Sequence, residues 1–170
     1  MSEIRLVEAD AGWPAQFDAV ARPLRDALTG TACRIEHIGS TAVPGLCAKP
    51  VLDLLLGVTR LADVEARHEA LAALGYRYRA EYEGELPERR YFTRDAGAGR
   101  LRVHLHAVVH GSAFWREQLA FRDALRADAA LAARYAALKR ELAERHAADK
   151  AAYTDAKGPF IRAVLAQLTP

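Results

Sequence analysis

Apolar positions fall into two periods along this chain. From Trp13 to Leu28, Phe17, Val20, Ala21, Leu24 and Leu28 recur every three or four residues, which places them on one face of a helix. Asp10 is a turn or cap residue before it, Pro14 suits its first turn, Pro23 predicts a kink and Gly30 a stop. The pattern then turns strand-like. Cys33 to Ile38 reads as a first core strand. Pro50 to Val58 is nearly all aliphatic apart from Asp53 and Gly57, as a central strand covered on both faces would be. Ile4 to Val7 is a short edge strand or an extended arm.

Leu61 to Leu74 returns to helical spacing through Leu61, Val64, His68, Leu71 and Leu74, with Gly75 as the stop. Tyr76 to Tyr82 alternates aromatic and charged residues like a half-exposed strand, and Glu83 to Glu88 is a polar loop. Arg89 to Thr93 and Leu101 to Val109 read as two further strands around a turn at Asp95 to Gly99. Beyond Gly111 the chain is helical. Ser112 and Asp128 are N-caps, Leu131, Tyr135, Leu138 and Leu142 form a buried stripe, and Glu141 pairs with Arg145. Tyr153 to Pro159 interrupts or bends this region before a last helix that runs through Leu168. The expected fold is α/β in the α+β sense: one domain over 1–170, with a mixed or antiparallel sheet within about 1–110 and helices over about 112–168.

Composition narrows the function. At 170 residues and 51% apolar content the chain can fill a real core. Its 24 basic and 22 acidic residues are spread along the sequence, leaving +2 and no basic block of the kind that grips nucleic acid. Met1 to Arg5 carries no apolar run, and no later segment reaches the roughly 18 apolar residues needed to cross a bilayer, so a cytoplasmic protein is expected. Cys33 and Cys47 lack metal-ligand spacing and read as packing residues, with a redox pair as the alternative.

The chemistry concentrates between Arg34 and Asp53. A strand ends in Gly39-Ser40-Thr41, where a glycine admits close backbone approach and two hydroxyls and nearby N–H groups can donate to an anion. Asp53 arrives on the next strand, costly there unless a cation or metal compensates it. His104 and His106 project side by side from the last strand, roughly 7 Å apart along it, suited to share one metal or anion with a third group. Lys49, Arg90, Arg122, Arg126 and Lys157 are candidate phosphate contacts, Arg122 and Arg126 lying one helical turn apart. The plainer alternatives are an ordinary tight turn, a salt-bridged carboxylate and solvated charges.

The run from Ile35 to Leu46, followed by Ala48-Lys49-Pro50 and Asp53, resembles the GrpB family. The likeness continues through His104-Leu105-His106, Phe121 to Arg126, Tyr135 to Lys139 and Tyr153 to Lys157. It implies a nucleotidyltransferase-like mixed sheet flanked by helices. The superfamily's pattern is Gly-Ser, a helix, then two acidic residues separated by one apolar residue. Ile38-Gly39-Ser40 and Asp53 fit it, but Leu55 stands where the second carboxylate would be, and His104 and His106 are what the later strand offers instead. The resemblance implies Mg²⁺, or another divalent ion, on Asp53 and a nucleotide or other phosphate-bearing small molecule over Gly39, Ser40 and Thr41. Nucleotidyl transfer is the first expectation. A noncatalytic binding module, and a hydrolase using Asp53, His104 and His106 around a transition metal, are the alternatives.

Overall fold

A computed structural model describes residues 4–168, with the backbone alone for Ala32 and Cys33. Met1 to Glu3 and the Cys33 side chain, read above as packing, lie outside the described residues. Helix α1 (Trp13–Ala27) leads into strand β1 (Ala32–Ile38), a 3-10 turn over Ser40–Ala42 and strand β2 (Val51–Val58). Helices α2 (Leu61–Glu65) and α3 (His68–Ala73) follow, then β3 (Arg77–Tyr78), β4 (Arg89–Arg94) and β5 (Arg102–Val109). Helices α4 (Ala113–Ala127), α5 (Ala129–Arg145), α6 (Lys150–Ala156) and α7 (Gly158–Leu168) complete the chain.

The five strands form one mixed sheet in the order β1-β2-β5-β4-β3, with β2 and β5 parallel and the other neighbours antiparallel. This is the mixed sheet flanked by helices that the resemblance implied. Alternation along β2 and β5 divides the sheet. Leu52, Leu54, Leu56, Val58, Val103, Leu105 and Ala107 are all buried in one core with Val20, Leu24 and Leu28 of the α1 region, Val64 and Leu71. On the opposite face α4 covers one end, where Trp115 packs with Ile38, Leu55 and Val108. Gly57 makes that contact feasible, since a Cβ there would stand 2.9 Å from both Trp115 and His110. The rest of this face opens into a cavity.

The N-terminal arm pairs through a single bridge, Val7 with Ala48. The predicted caps hold: Ser112 accepts from the Trp115 N–H, and Asp128 from that of Leu131. Glu141 meets Arg145 at 2.6 Å.

Two elements differ from expectation. The single helix from Leu61 to Leu74 is two short helices, and His68 is exposed. Arg67, at the joint, bonds back to Thr29 O and Thr31 Oγ1 at 3.3 Å each, tying the break to the turn after α1. The strand expected over Tyr76 to Tyr82 is only Arg77–Tyr78, because the chain coils into a 3-10 turn over Ala80–Tyr82 that brings Tyr82 to the cavity. The bend expected over Tyr153 to Pro159 falls at the joint between α6 and α7, after Ala156 and before Gly158.

Candidate functional site

The site follows from strand register. Asp53 stands directly opposite His104 across the parallel β2–β5 pair and opposite Ile38 across β1–β2, so it sits beside the Gly39 turn. His106, two residues along, is opposite Leu55 and Tyr91. Asp53 Oδ1 lies 3.4 Å from His104 Nδ1 and 3.5 Å from His106 Nε2. One ligand atom from each of the three lies within 4.8 Å of the other two.

Protonation suits cation binding. Burial pushes the Asp53 carboxyl up, but hydrogen bonds and charge from His104 and His106 outweigh it and hold the group below the usual carboxylate range. Burial lowers His106, against the opposing pull of Asp53, so its ring is neutral near pH 7. An ionised carboxylate and a neutral imidazole are the ligating forms. The His106 ring stacks on Tyr91 at 5.1 Å, and its Nδ1 lies 3.4 Å from Arg89 Nη1. A guanidinium donating there favours the tautomer with the proton on Nε2, facing Asp53. Ligation through Nε2 would need that proton on Nδ1 and Arg89 turned aside.

Gly39 explains how the turn and the carboxylate come so close. It adopts φ +71 with ψ −175, and a Cβ built on it would stand 2.6 Å from Asp53 Oδ2. The sequence suggested that this glycine clears room for a ligand anion. The anion packed against it is the protein's own Asp53. Beneath the turn His37 is buried, stacked on Phe17 at 4.8 Å and 2.9 Å from Thr41 Oγ1, so it supports the turn from below.

A cavity of about 850 Å³ spreads over these residues. Gly39, Ser40, Thr41, Lys49, Asp53, His104, His106 and Lys157, singled out from the sequence, all line it. Three other predicted contacts are engaged elsewhere. Arg90 points to the opposite face, 2.6 Å from Glu65 Oε1 and bonded to Pro87 O. Arg122 binds Glu36 at 2.8 Å and His37 O at 3.0 Å, and Arg126 binds Ala42 O at 2.8 Å. These two arginines clamp α4 to the turn from behind.

The sequence reading missed Lys139, Tyr153 and Arg89, all of which line the cavity. Lys139 is only 2% exposed, and its ammonium donates to Ser40 Oγ at 2.8 Å and to Cys47 O. Its signal was available: in α5 it follows Tyr135 by four residues and precedes Leu142 by three, a lysine on the buried stripe.

Comparison with known proteins agrees with the fold. A family profile described as GrpB protein matches residues 3–167. Glutamate-rich protein GrpB of Alkalihalophilus pseudofirmus is 32% identical over 171 residues, covering 98% of this chain and 96% of that one. The crystal structure of conserved protein GrpB from Enterococcus faecalis matches with a TM-score of 0.84 at 32% identity, covering 96% of each chain. A dephospho-CoA kinase of Mycolicibacterium paratuberculosis is 32% identical over 180 residues, 94% of this chain but 44% of that protein. The chain belongs to the GrpB family.

Proposed function

We propose that this GrpB-family chain binds a nucleotide or other phosphate-bearing small molecule in a nucleotidyltransferase-like pocket, with one divalent ion held by Asp53, His104 and His106. The observation that carries this reading is the convergence of those three side chains on one cavity wall beside the Ser40 turn. Their donor chemistry fits a cation. Two imidazoles and one carboxylate favour Zn²⁺, Mn²⁺ or Fe²⁺ over Mg²⁺, which prefers oxygen ligands. An ion there supplies Lewis-acid polarisation and neutralises charge on phosphate oxygens.

The protein's own groups do the rest. Gly39 lets the turn lie against Asp53, the Ser40 hydroxyl holds the Lys139 ammonium at the cavity, the Thr41 hydroxyl is tied to His37 beneath the turn, and Lys49 and Lys157 supply positive charge for phosphate. Leu55 is fully buried under Trp115, so position 55 offers no second carboxylate and a two-ion clamp is not built here. The imidazole donors also favour a second reading, hydrolysis of a phosphate ester at the same site. Formation of pyrophosphate from a nucleoside triphosphate and an acceptor marks transfer, and product without an acceptor marks hydrolysis.

Equilibrium dialysis against Zn²⁺, Mn²⁺, Co²⁺ and Mg²⁺ tests the metal directly. One ion per chain is expected, lost in Asp53→Asn and His104→Ala. Thermal shifts by nucleoside triphosphates are expected to grow with the ion present. Equal shifts with and without it, and in Asp53→Asn, would remove the metal from the proposal.

A further inference from the structure

Beside the Asp53 cluster, three amines gather on another wall of the same cavity. Lys157 Nζ lies 4.5 Å from the centre of the Tyr153 ring and Lys49 Nζ 5.4 Å from it. Lys139 Nζ stands over the neighbouring Tyr135 ring at 5.1 Å while bound to Ser40 Oγ. Three different segments bring them there: Lys49 from the connection before β2, Lys139 from α5 and Lys157 from the α6–α7 joint. Among the described residues none of the three has a carboxylate ion-pair partner, whereas Arg90 and Arg122 each have two.

Such an arrangement is unfavourable as it stands. Aromatic faces attract ammonium groups but do not neutralise them, and a buried ammonium needs an opposite charge. The lysines disfavour one another's charge. Burial first, then neighbouring cations, lower both Lys139 and Lys157 to about 8, and burial lowers Lys49 as well; the Asp53 carboxylate pulls Lys49 and Lys157 back only in part. A packed protein that keeps three such groups around one opening has positive charge available for a ligand.

We infer that Lys49, Lys139 and Lys157, grouped around Tyr153 and the Ser40 turn, form a polyanion subsite that takes a diphosphate-like group without help from a metal. This rests on the phosphate-ligand reading above and deepens it by assigning which end of the ligand lies where. The diphosphate end faces the lysines, and the part of the ligand that meets Asp53, His104 and His106 lies toward β5. A group with at least two negative charges is specified because three cations share the wall. A carboxylate or a single phosphate monoanion would leave most of the repulsion in place.

Calorimetric titration with inorganic pyrophosphate in EDTA tests this on the full chain. Wild type is expected to bind, Lys49→Gln and Lys157→Gln to bind at least about tenfold more weakly, and Asp53→Asn to bind as well as wild type or better because a negative charge leaves the cavity. Acetate at equal ionic strength is expected not to compete. Lys139→Gln sits in the packed interior, so its folding is checked by circular dichroism and the decisive comparison is between wild type and the two more accessible lysine variants. Adenosine diphosphate run in parallel shows whether the group belongs to a nucleotide or to free diphosphate, and either order of affinity supports the subsite. No binding in EDTA, or binding unchanged in both lysine variants, overturns it. Those results leave the metal reading intact, because dialysis with the Asp53 and His104 variants decides that separately.

Discussion

The two faces of the sheet are made by the same strands and do opposite work. On one face Leu54, Leu56, Leu105 and Ala107 are entirely closed off from solvent. On the other, one residue away along each strand, Asp53, His104 and His106 are half-buried around a cavity. The hydrophobic content of β2 and β5 therefore holds the fold through one parity and leaves the other free for polar chemistry. Leu55 shows how sharp the division is. It shares the site's parity, yet α4 has claimed its end of the strand, so it packs with Trp115 and Val108. Position 55 has become core.

The strongest way to break this division is Leu55→Asp, which would set a second carboxylate two residues from Asp53. If position 55 were part of the open site, metal binding would improve. Because it is fully buried among apolar groups, the charge has nothing to pair with. The expected result is a loss of more than about 3 kcal/mol in urea unfolding, or failure to fold, with no gain in bound ion.

Gly39 lies where the two faces meet, so Gly39→Ala comes next. Its dihedrals belong to a region that essentially only glycine occupies. The added methyl must also displace the Asp53 carboxylate. A cost of about 2 kcal/mol is expected from strain. A fall in metal affinity on the order of 100-fold is expected with it, measured by competition with a chromophoric chelator. An alanine variant that binds the ion as wild type does would mean that Asp53 is not held in place by this contact.

How much of this was legible depends on what each residue's position encodes. Period and punctuation carried β1, β2, β4 and β5, the α4 and α5 caps and the Gly39–Asp53–His104–His106 group, because those are local patterns or belong to strands whose alternation is visible. Lys139 was missed although it lies on the stripe between Tyr135 and Leu142, since a lysine there reads first as a surface charge. Arg122 and Arg126 have a spacing that suits an anion, and nothing local says that Glu36, the His37 carbonyl and the Ala42 carbonyl occupy them instead. That information is tertiary. The break between α2 and α3 is tertiary too, since it depends on Arg67 reaching the Thr29–Thr31 turn.

A buried histidine gives the sealed face a pH dependence of its own. His37, packed with Phe17 on the sealed side, is lowered to about 4, by burial first and then by the Arg126 charge. Folded protein thus stays neutral at this site while the unfolded chain takes up a proton below its ordinary value of 6.5. The contribution is complete above pH 6.5 and is lost as pH falls toward 4. Between pH 7 and pH 5 this group should cost about 2 kcal/mol of stability. The difference between wild type and His37→Gln in urea unfolding at those two pH values isolates it from the carboxylates. No difference in slope would mean that the ring reaches water and protonates in the folded state.

The smallest effects come from the neighbouring pair Arg89 and Arg90, which parity sends to different faces. Arg90 is bound to Glu65 and Glu83 away from the cavity, so Arg90→Ala should leave ion and pyrophosphate binding unchanged and cost at most about 1 kcal/mol. Arg89 lines the cavity with its Nη1 near His106 Nδ1, and its Nε has no hydrogen-bond partner. Removing it frees Nδ1 to carry the ring proton and removes a positive charge beside the proposed cation. Arg89→Ala should therefore tighten Zn²⁺ binding, by a few-fold only, since the 3.4 Å contact is long for a hydrogen bond. Titration of both variants with the same ion distinguishes the faces. Tightening in Arg90→Ala would place the wrong arginine at the site, and weakening in Arg89→Ala would make its guanidinium a partner of the bound ligand instead of a competitor of the ion.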